Sequence, residues 1–413
     1  MTISWSRRND GKYWDFRGVS ASYLVHGMHP YPARMHPHIA RTLIARFGKS
    51  RSGIVDPFCG SGTTLVESLL AGFDSYGIDL NPLALIVSKA KTTLVDPDDV
   101  SDLVLQSTRL IKRSKTHFAV TPTGDQSKIL KFWFKRRVLS QLLALKEELQ
   151  SSELWHSRYK WLFASCLSRT ARAVSNQRPY EFKAYRLPKE LRQKHNPHVP
   201  KVFEGIVLQS ISRQLEFYLE FQRQNRDRNP SSEVLLADSR TSYFRAVADL
   251  VITSPPYGDS PTTVNYEQFS RISLMILDIP RRDFGWTRER HQKVAHESVA
   301  TDSLTRRVMA KLGVVDAHKA RVLGRNFDSL WRSISSMTQL LKGGGVCCVV
   351  LGPRTVRGVT IPTPDIVSEY ADQFSLKRLD CISRNIPRKV QPWRNNSGRT
   401  IDNEKILIFS KLR

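Results

Sequence analysis

The stretch Thr253-Ser254-Pro255-Pro256-Tyr257-Gly258-Asp259 joins a hydroxyl, an aromatic ring and a double proline. Two prolines stiffen a turn and hold its neighbours out where a ligand can meet them. By itself such a run is an ordinary turn. It gains meaning from a second group far upstream, Asp56-Pro57-Phe58-Cys59-Gly60-Ser61-Gly62-Thr63-Thr64. Gly60 and Gly62 permit a tight turn and let backbone approach a bound molecule closely. The loop lacks the GK[ST] ending of a phosphate-binding P-loop, which disfavours ATP chemistry. Asp79 stands about 20 residues beyond the loop, where a doubly wound fold places the carboxylate that holds ribose hydroxyls. Its plainer role is a helix cap before Asn81-Pro82.

These residues need particular elements to position them. Gly53-Ile54-Val55 reads as a strand entering the glycine loop, Thr64–Leu70 as a helix, SYGID as a second strand, and NPLALIVSKAK as a second helix. That alternation predicts βαβ units and a parallel sheet. EVLLADS and ADLVITSPPYG read as further strands, the second ending at Pro255-Pro256 because proline cannot continue a central strand. GGGVCCVVLGP reads as a strand after a glycine turn, and FSLKRLDCIS and EKILIFSKL as a closing edge hairpin. Between these, residues 96–230 are helical in period and rich in Lys and Arg. Their segment RPYEFKAYRLPKELRQKHNPHVPKVF mixes bases, aromatics and prolines, a poor core segment and a plausible nucleic-acid loop. Residues 281–326 read as basic and irregular.

The 413 residues carry a formal charge of +26. That excess points to a polyanionic partner, since each Lys or Arg near a phosphate releases condensed counterions. The chain has no run of about 18 apolar residues, so no membrane span is expected. The first residues, MTISWSRRNDGKYW, lack the apolar core of a signal peptide. Cys59, Cys166, Cys347, Cys348 and Cys381 form no CxxC pair and no zinc spacing, which predicts a reducing, cytoplasmic setting without disulfides or metal. His29, His36 and His38 have no further ligand at useful spacing, so loop packing or ligand contact is the expectation for them.

DPFCGSGTT resembles the S-adenosylmethionine-binding motif of amino-methyltransferases, and TSPPY is similar to their catalytic [DNST]PP[YFW] tetrapeptide. HPYPARMHPHIARTLI resembles the segment beside the cofactor's methionine end, and GIDLNPLA the ribose-binding motif. The likeness covers roughly residues 26–92 and 233–270, with weaker support at 343–353. It implies a Rossmann-like class I methyltransferase fold, α/β, with a mostly parallel seven-stranded sheet, an antiparallel edge hairpin and helical basic insertions. Together with composition and periodicity along the chain, the expected division is an N-terminal arm at 1–25, a cofactor-binding half at 26–95, a helical basic insertion for target recognition at 96–230, a catalytic part at 231–280, a second basic insertion at 281–326 and a C-terminal part at 327–413. Many members of the group carry the tetrapeptide before the glycine loop, whereas here the loop comes first. That order also occurs in adenine-N6 DNA enzymes and guanine-N2 RNA enzymes.

The resemblance implies a set of site residues. His29, Pro30, Tyr31, Asp56, Phe58, Gly60, Gly62, Thr63, Thr64, Asp79, Leu80 and Ser254 would meet S-adenosylmethionine. Asp238 would approach its adenine or serve as a strand-end cap. Ser254, Pro255, Pro256 and Tyr257 would act on a base amino group: the Ser254 hydroxyl and the Pro255 carbonyl accept its two hydrogens, and Tyr257 stacks on the ring. Cys59 is expected only to pack. A paired base in duplex DNA must flip out to be reached, and Lys183, Arg186, Lys189, Arg192 and Lys194 are candidates for the phosphate contacts that hold the strand. The serine form leans towards cytosine N4, with adenine N6, RNA guanine N2 and an inactive DNA-binding protein as alternatives. A separately encoded restriction endonuclease is the partner that a protective DNA enzyme implies.

Overall fold

The computed structural model describes residues 11–49, 53–115, 124–179, 181–240, 248–256, 265–280, 303–386 and 402–412. Its centre is a seven-stranded sheet built from β1 (Gly53–Asp56), β2 (Ser75–Asp79), β3 (Ser232–Leu236), β4 (Ala248–Thr253), β5 (Leu341–Leu351), β8 (Leu376–Asn385) and β9 (Asn403–Lys411). The order is β3-β2-β1-β4-β5-β9-β8. The first five run parallel, and β9 lies antiparallel between β5 and β8. A small hairpin, β6 (Arg354–Val356) with β7 (Val359–Ile361), follows β5. This is the Rossmann-like class I arrangement with its antiparallel edge.

Strand periodicity explains how the sheet is covered. Alternate residues of a strand face opposite sides. Ile54, Leu250, Ile252, Cys348, Ile406 and Ile408 join one apolar cluster with Ile39, Leu43 and Ile44 of the helix Pro37–Phe47. Their neighbours Val55, Val251, Cys347, Val349, Leu407 and Phe409 join another on the opposite face. Both faces are therefore apolar, as parallel strands require. The glycines before Val346 lie inside β5, where the pairing with β4 jumps from Leu341 to Val346, so they form an irregularity in the strand, not a turn ahead of it.

The helical region after residue 96 is built into the same body. The helix Lys160–Val174 packs against Pro82–Thr92 and against the 26-residue helix Val199–Gln224. Phe163, Leu167, Phe203 and Phe217 share a cluster with Val66, Leu69, Leu83 and Val87 from the helices that follow β1 and β2. Each such side chain contributes about 1.5–3 kcal/mol by leaving water.

Residues 303–326, expected to be irregular, are helical. Ser303–Val315 and Ala317–Leu340 form two packed helices. Val308 and Leu312 on the first, and Ala320, Leu323, Phe327, Leu330, Ile334 and Met337 on the second, recur at helical spacing and cover the sheet. The surrounding arginines and lysines mask that stripe in the sequence. Residues 281–302 lie outside the described residues. The expectation of an arm over 1–25 also fails where the structure describes it. Trp14 is 1% exposed, its carbonyl accepts from Arg384 Nε at 2.9 Å, and Asp15 Oδ1 accepts from the Asn385 amide at 2.6 Å. This segment is a strap on β8. No helix among the described residues is long and apolar enough to cross a membrane.

Candidate active site

One cleft opens at the carboxyl ends of the parallel strands, where open α/β sheets place their ligands. Its walls are Asp56, Pro57, Phe58, Cys59, Gly60, Ser61 and Thr63 after β1, Asp79, Leu80 and Asn81 after β2, Ala237 and Ser239 after β3, and Ser254 and Pro256 after β4. Tyr31, Pro32, Ala33, Arg34 and Met35 close one side, with Tyr266 beside them.

Asp56 ties the glycine loop to the proline turn. Its Oδ1 accepts from Thr253 Oγ1 at 2.7 Å and from the Phe58 amide at 3.1 Å, and its Oδ2 accepts from Thr64 Oγ1 at 2.7 Å. Thr253 is the last residue of β4 and immediately precedes Ser254. Burial pushes the Asp56 carboxyl up to about 6, against the pull of those three hydrogen bonds.

Asp79 ends β2 and is likewise raised to about 6 by burial. Its Oδ2 accepts from the Gly60 amide at 2.9 Å and its Oδ1 from the Asn81 amide at 2.8 Å. With the Leu80 amide also bonding the carboxylate, acceptor capacity remains for a further donor. The helix cap is Asn81: its Oδ1 accepts from the Leu83 amide at 2.9 Å. Asn81 Nδ2 also donates to Tyr31 Oη at 3.0 Å and to Ser270 Oγ at 2.9 Å.

Two positions in the loop demand glycine for different reasons. Gly60 has φ +49, and a Cβ there would sit 3.4 Å from the Tyr31 ring. Gly62 has φ +77 and faces Ser88 of the next helix, whose Cβ would lie 2.9 Å from an added Cβ. Gly62 therefore sets helix packing and does not line the cleft. Cys59 is buried with Leu65 and Val234, and burial raises its thiol well above the usual range.

Other expected residues are placed differently. His29 is turned away from the cleft: its ring is 1% exposed, bonds Ser168 Oγ at 3.0 Å and the Pro30 carbonyl at 2.8 Å, and burial depresses it to about 3. It is a neutral buried strut. Pro30 is exposed beside the cleft, not within its walls. Thr64 stands behind the wall, holding Asp56. Asp238 pairs with Arg240 at 2.5 Å while its two neighbours line the cleft. His36 and His38 pack near the Phe16 ring, with centroids 5.1 and 5.5 Å away. Tyr257 lies outside the described residues.

Among the basic candidates, Lys183, Lys189 and Lys194 are exposed and Arg192 half-buried. Arg186 lies 4.1 Å over the Phe132 ring. The loop carrying Lys183 is held beside the cleft through Arg172, which donates to the Glu181 carbonyl and lies 4.3 Å over Phe269. Phe269 in turn meets Tyr31 at 6.0 Å. The sequence reading missed Asn81 as a connector, Arg34, Ser61 and Tyr266. Asn81 carried a signal in its place before proline, and Ser61 and Arg34 in lying inside the glycine loop and the HPYPARMHPHIARTLI segment; Tyr266 carried none.

A relative from Kocuria varians, described as "Type II methyltransferase M.MvaI", is 30% identical over 98% of this chain and 93% of its own. The chain belongs to the DNA amino-methyltransferase family. Residues 4–89 match the N6/N4-type family model described as "DNA methylase". "Type II methyltransferase M.MjaII" from Methanocaldococcus jannaschii is 35% identical over 20% of this chain and 15% of its own. The solved rRNA methyltransferase aviRa from Streptomyces viridochromogenes overlays with a TM-score of 0.36 at 11% identity, over 96% of this chain and 94% of that one, too distant to bear on substrate.

This DNA amino-methyltransferase uses S-adenosylmethionine, and the cleft fits that group. Ser61 Oγ is buried at the cleft wall with no hydrogen-bond partner among the described residues, a vacancy that a polar ligand satisfies. Gly60 leaves room beside Tyr31, and Asp79 offers acceptors at the adjoining wall.

Proposed function

We propose that the protein methylates the N4 amino group of a cytosine flipped out of duplex DNA. The observation that carries this reading is the shared cleft: Asp56 binds the residue that precedes Ser254, and both line the same cavity as Asp79. When bound, S-adenosylmethionine supplies an electrophilic sulfonium methyl. The chain's own residues hold and orient. Asp79 accepts from ribose hydroxyls through its remaining lone pairs, Ser61 Oγ bonds a polar group of the cofactor, and Phe58, Gly60, Thr63 and Leu80 shape the pocket.

A cytosine amine is a poor nucleophile because its lone pair is delocalised into the ring. Ser254 Oγ and the Pro255 carbonyl accept hydrogen bonds from its two N–H groups and let the nitrogen become pyramidal; once methylated, the nitrogen releases one of those protons to solvent, while Pro256 stiffens the turn and Tyr257 stacks on the base. Holding two reactants in line is worth about 7–11 kcal/mol. The serine form of the tetrapeptide supports cytosine over adenine. The type II relatives support a protective role beside a separately encoded endonuclease.

Digestion of plasmid DNA after incubation with labelled cofactor tests the base. N4-methylcytosine is the expected product; N6-methyladenine replaces this reading with adenine chemistry, and label found only in RNA rejects DNA as the substrate. Asp79→Ala is expected to weaken cofactor binding about tenfold or more, the loss of one or two charge-assisted hydrogen bonds. Calorimetric titration with the cofactor checks this, and an unchanged affinity removes Asp79 from the ribose site.

A further inference from the structure

We propose that the helical hairpin of residues 303–325 is a second DNA-gripping element, which holds the duplex beside the cleft with a cationic surface and an apolar tip. The proposal rests on the DNA reading above. The helix Ala317–Leu340 spans about 36 Å, whereas β4 spans about 20 Å. Leu340 leads into Leu341, which pairs with Ala248 at the start of β4. The helix therefore runs from beyond the carboxyl edge of the sheet back to its amino edge. Midway, Ser329 Oγ accepts from Arg240 Nη1 at 3.2 Å, next to Ser239 of the cleft wall.

The tip is fixed at that carboxyl edge. Asp316, between the two helices, accepts from Arg357 Nε at 3.2 Å. Arg357 sits in the turn of the β6–β7 hairpin, which itself follows the carboxyl end of β5. At this clasped tip Val314 is 91% exposed and Val315 57% exposed. These two neighbouring valines offer a small apolar surface to a partner at that corner.

The surroundings define what covers them. Residues 303–325 contain six Lys or Arg and one acid, Asp316, which Arg357 already engages. Arg306, Lys311, Arg321 and Arg325 are exposed on the side of the hairpin away from its buried stripe. Such a surface is complementary to a phosphate backbone. A small apolar tip between flanking cations suits a groove of the same duplex, where thymine methyls and sugars are the apolar partners.

The test is duplex binding by fluorescence anisotropy across a salt series, with full-length protein. Lys311→Gln, Arg321→Gln and Arg325→Gln are combined in one variant, and Val314→Ser and Val315→Ser in another. All five positions are exposed, and thermal melting together with cofactor affinity verifies folding. The charge variant should bind about tenfold or more weakly and lower the magnitude of the salt slope by about 2–3, since each lost phosphate contact removes about 0.9. The valine variant should weaken binding with its slope intact. If the wild type binds duplex and both variants match it in affinity and slope, the hairpin is not a DNA element. If the wild type binds no duplex at all, the DNA reading itself falls.

Discussion

Ser254→Ala is expected to reduce turnover at least about a hundredfold while leaving cofactor affinity within about twofold. Ser254 lines the cleft from the end of β4, and its proposed task is to accept a hydrogen from the reacting amine, a contact that strengthens as that nitrogen changes shape. Deleting one such preorganised contact costs about 2.7–4 kcal/mol of transition-state stabilisation in comparable sites. The cofactor walls remain, because Asp79, Ser61 and Gly60 stand on other strands. Single-turnover methylation paired with cofactor titration separates the two effects. A near-normal rate would remove Ser254 from the chemistry; a matching loss of cofactor affinity would recast it as a binding residue.

Asp56→Ala is expected to damage both stability and activity. The change leaves the Thr253 hydroxyl and the Phe58 amide without their acceptor and the Thr64 hydroxyl with only the Ile252 carbonyl at 3.4 Å, and each orphaned buried group costs about 1–3 kcal/mol. Against a total stability of about 5–15 kcal/mol, a melting temperature lowered by roughly 5 °C or more follows. Asp56→Asn should be milder, since an amide still accepts at one oxygen.

The pH dependence has a definite sign. In the folded protein Asp56 titrates near 6, above its ordinary 3.8. Its contribution is therefore fully present below about 3.8 and is lost as pH rises through about 6. The melting temperature of the wild type should fall relative to Asp56→Asn across that window. A rise in the same comparison would mean that the carboxylate is stabilised in its charged form.

How much of this was legible in the sequence follows from how local each signal is. The glycine loop, Asp79 and the proline turn were readable because each sits where a strand ends, and a strand end in a parallel sheet is a fixed place in the fold. The closing pair of strands was readable as two short segments, FSLKRLDCIS and EKILIFSKL. Residues 303–326 were misread because Arg and Lys dominate the composition while the buried stripe uses only a few apolar positions. Trp14 and Asp15 were assigned to an arm because their partners, Arg384 and Asn385, are 370 residues away. His29 matched a motif yet faces Ser168 on a helix far along the chain. The misses at Trp14, Asp15 and His29 are long-range contacts that residue type and spacing do not encode.

The place of β9 has a consequence for how the protein is made. Ile406, Leu407 and Ile408 fill the gap between β5 and β8, yet they are synthesised well after β5. At about 5–20 residues per second, the 60 residues from Leu351 to Lys411 take about 3–12 s to synthesise. Through that interval the apolar edge Val346–Leu351 has no hydrogen-bonding neighbour on one side, and an open edge of this kind recruits strands from other nascent chains. Slow translation between β5 and β9, or a shortage of chaperones, should therefore show itself as aggregation before it shows as lost methylation.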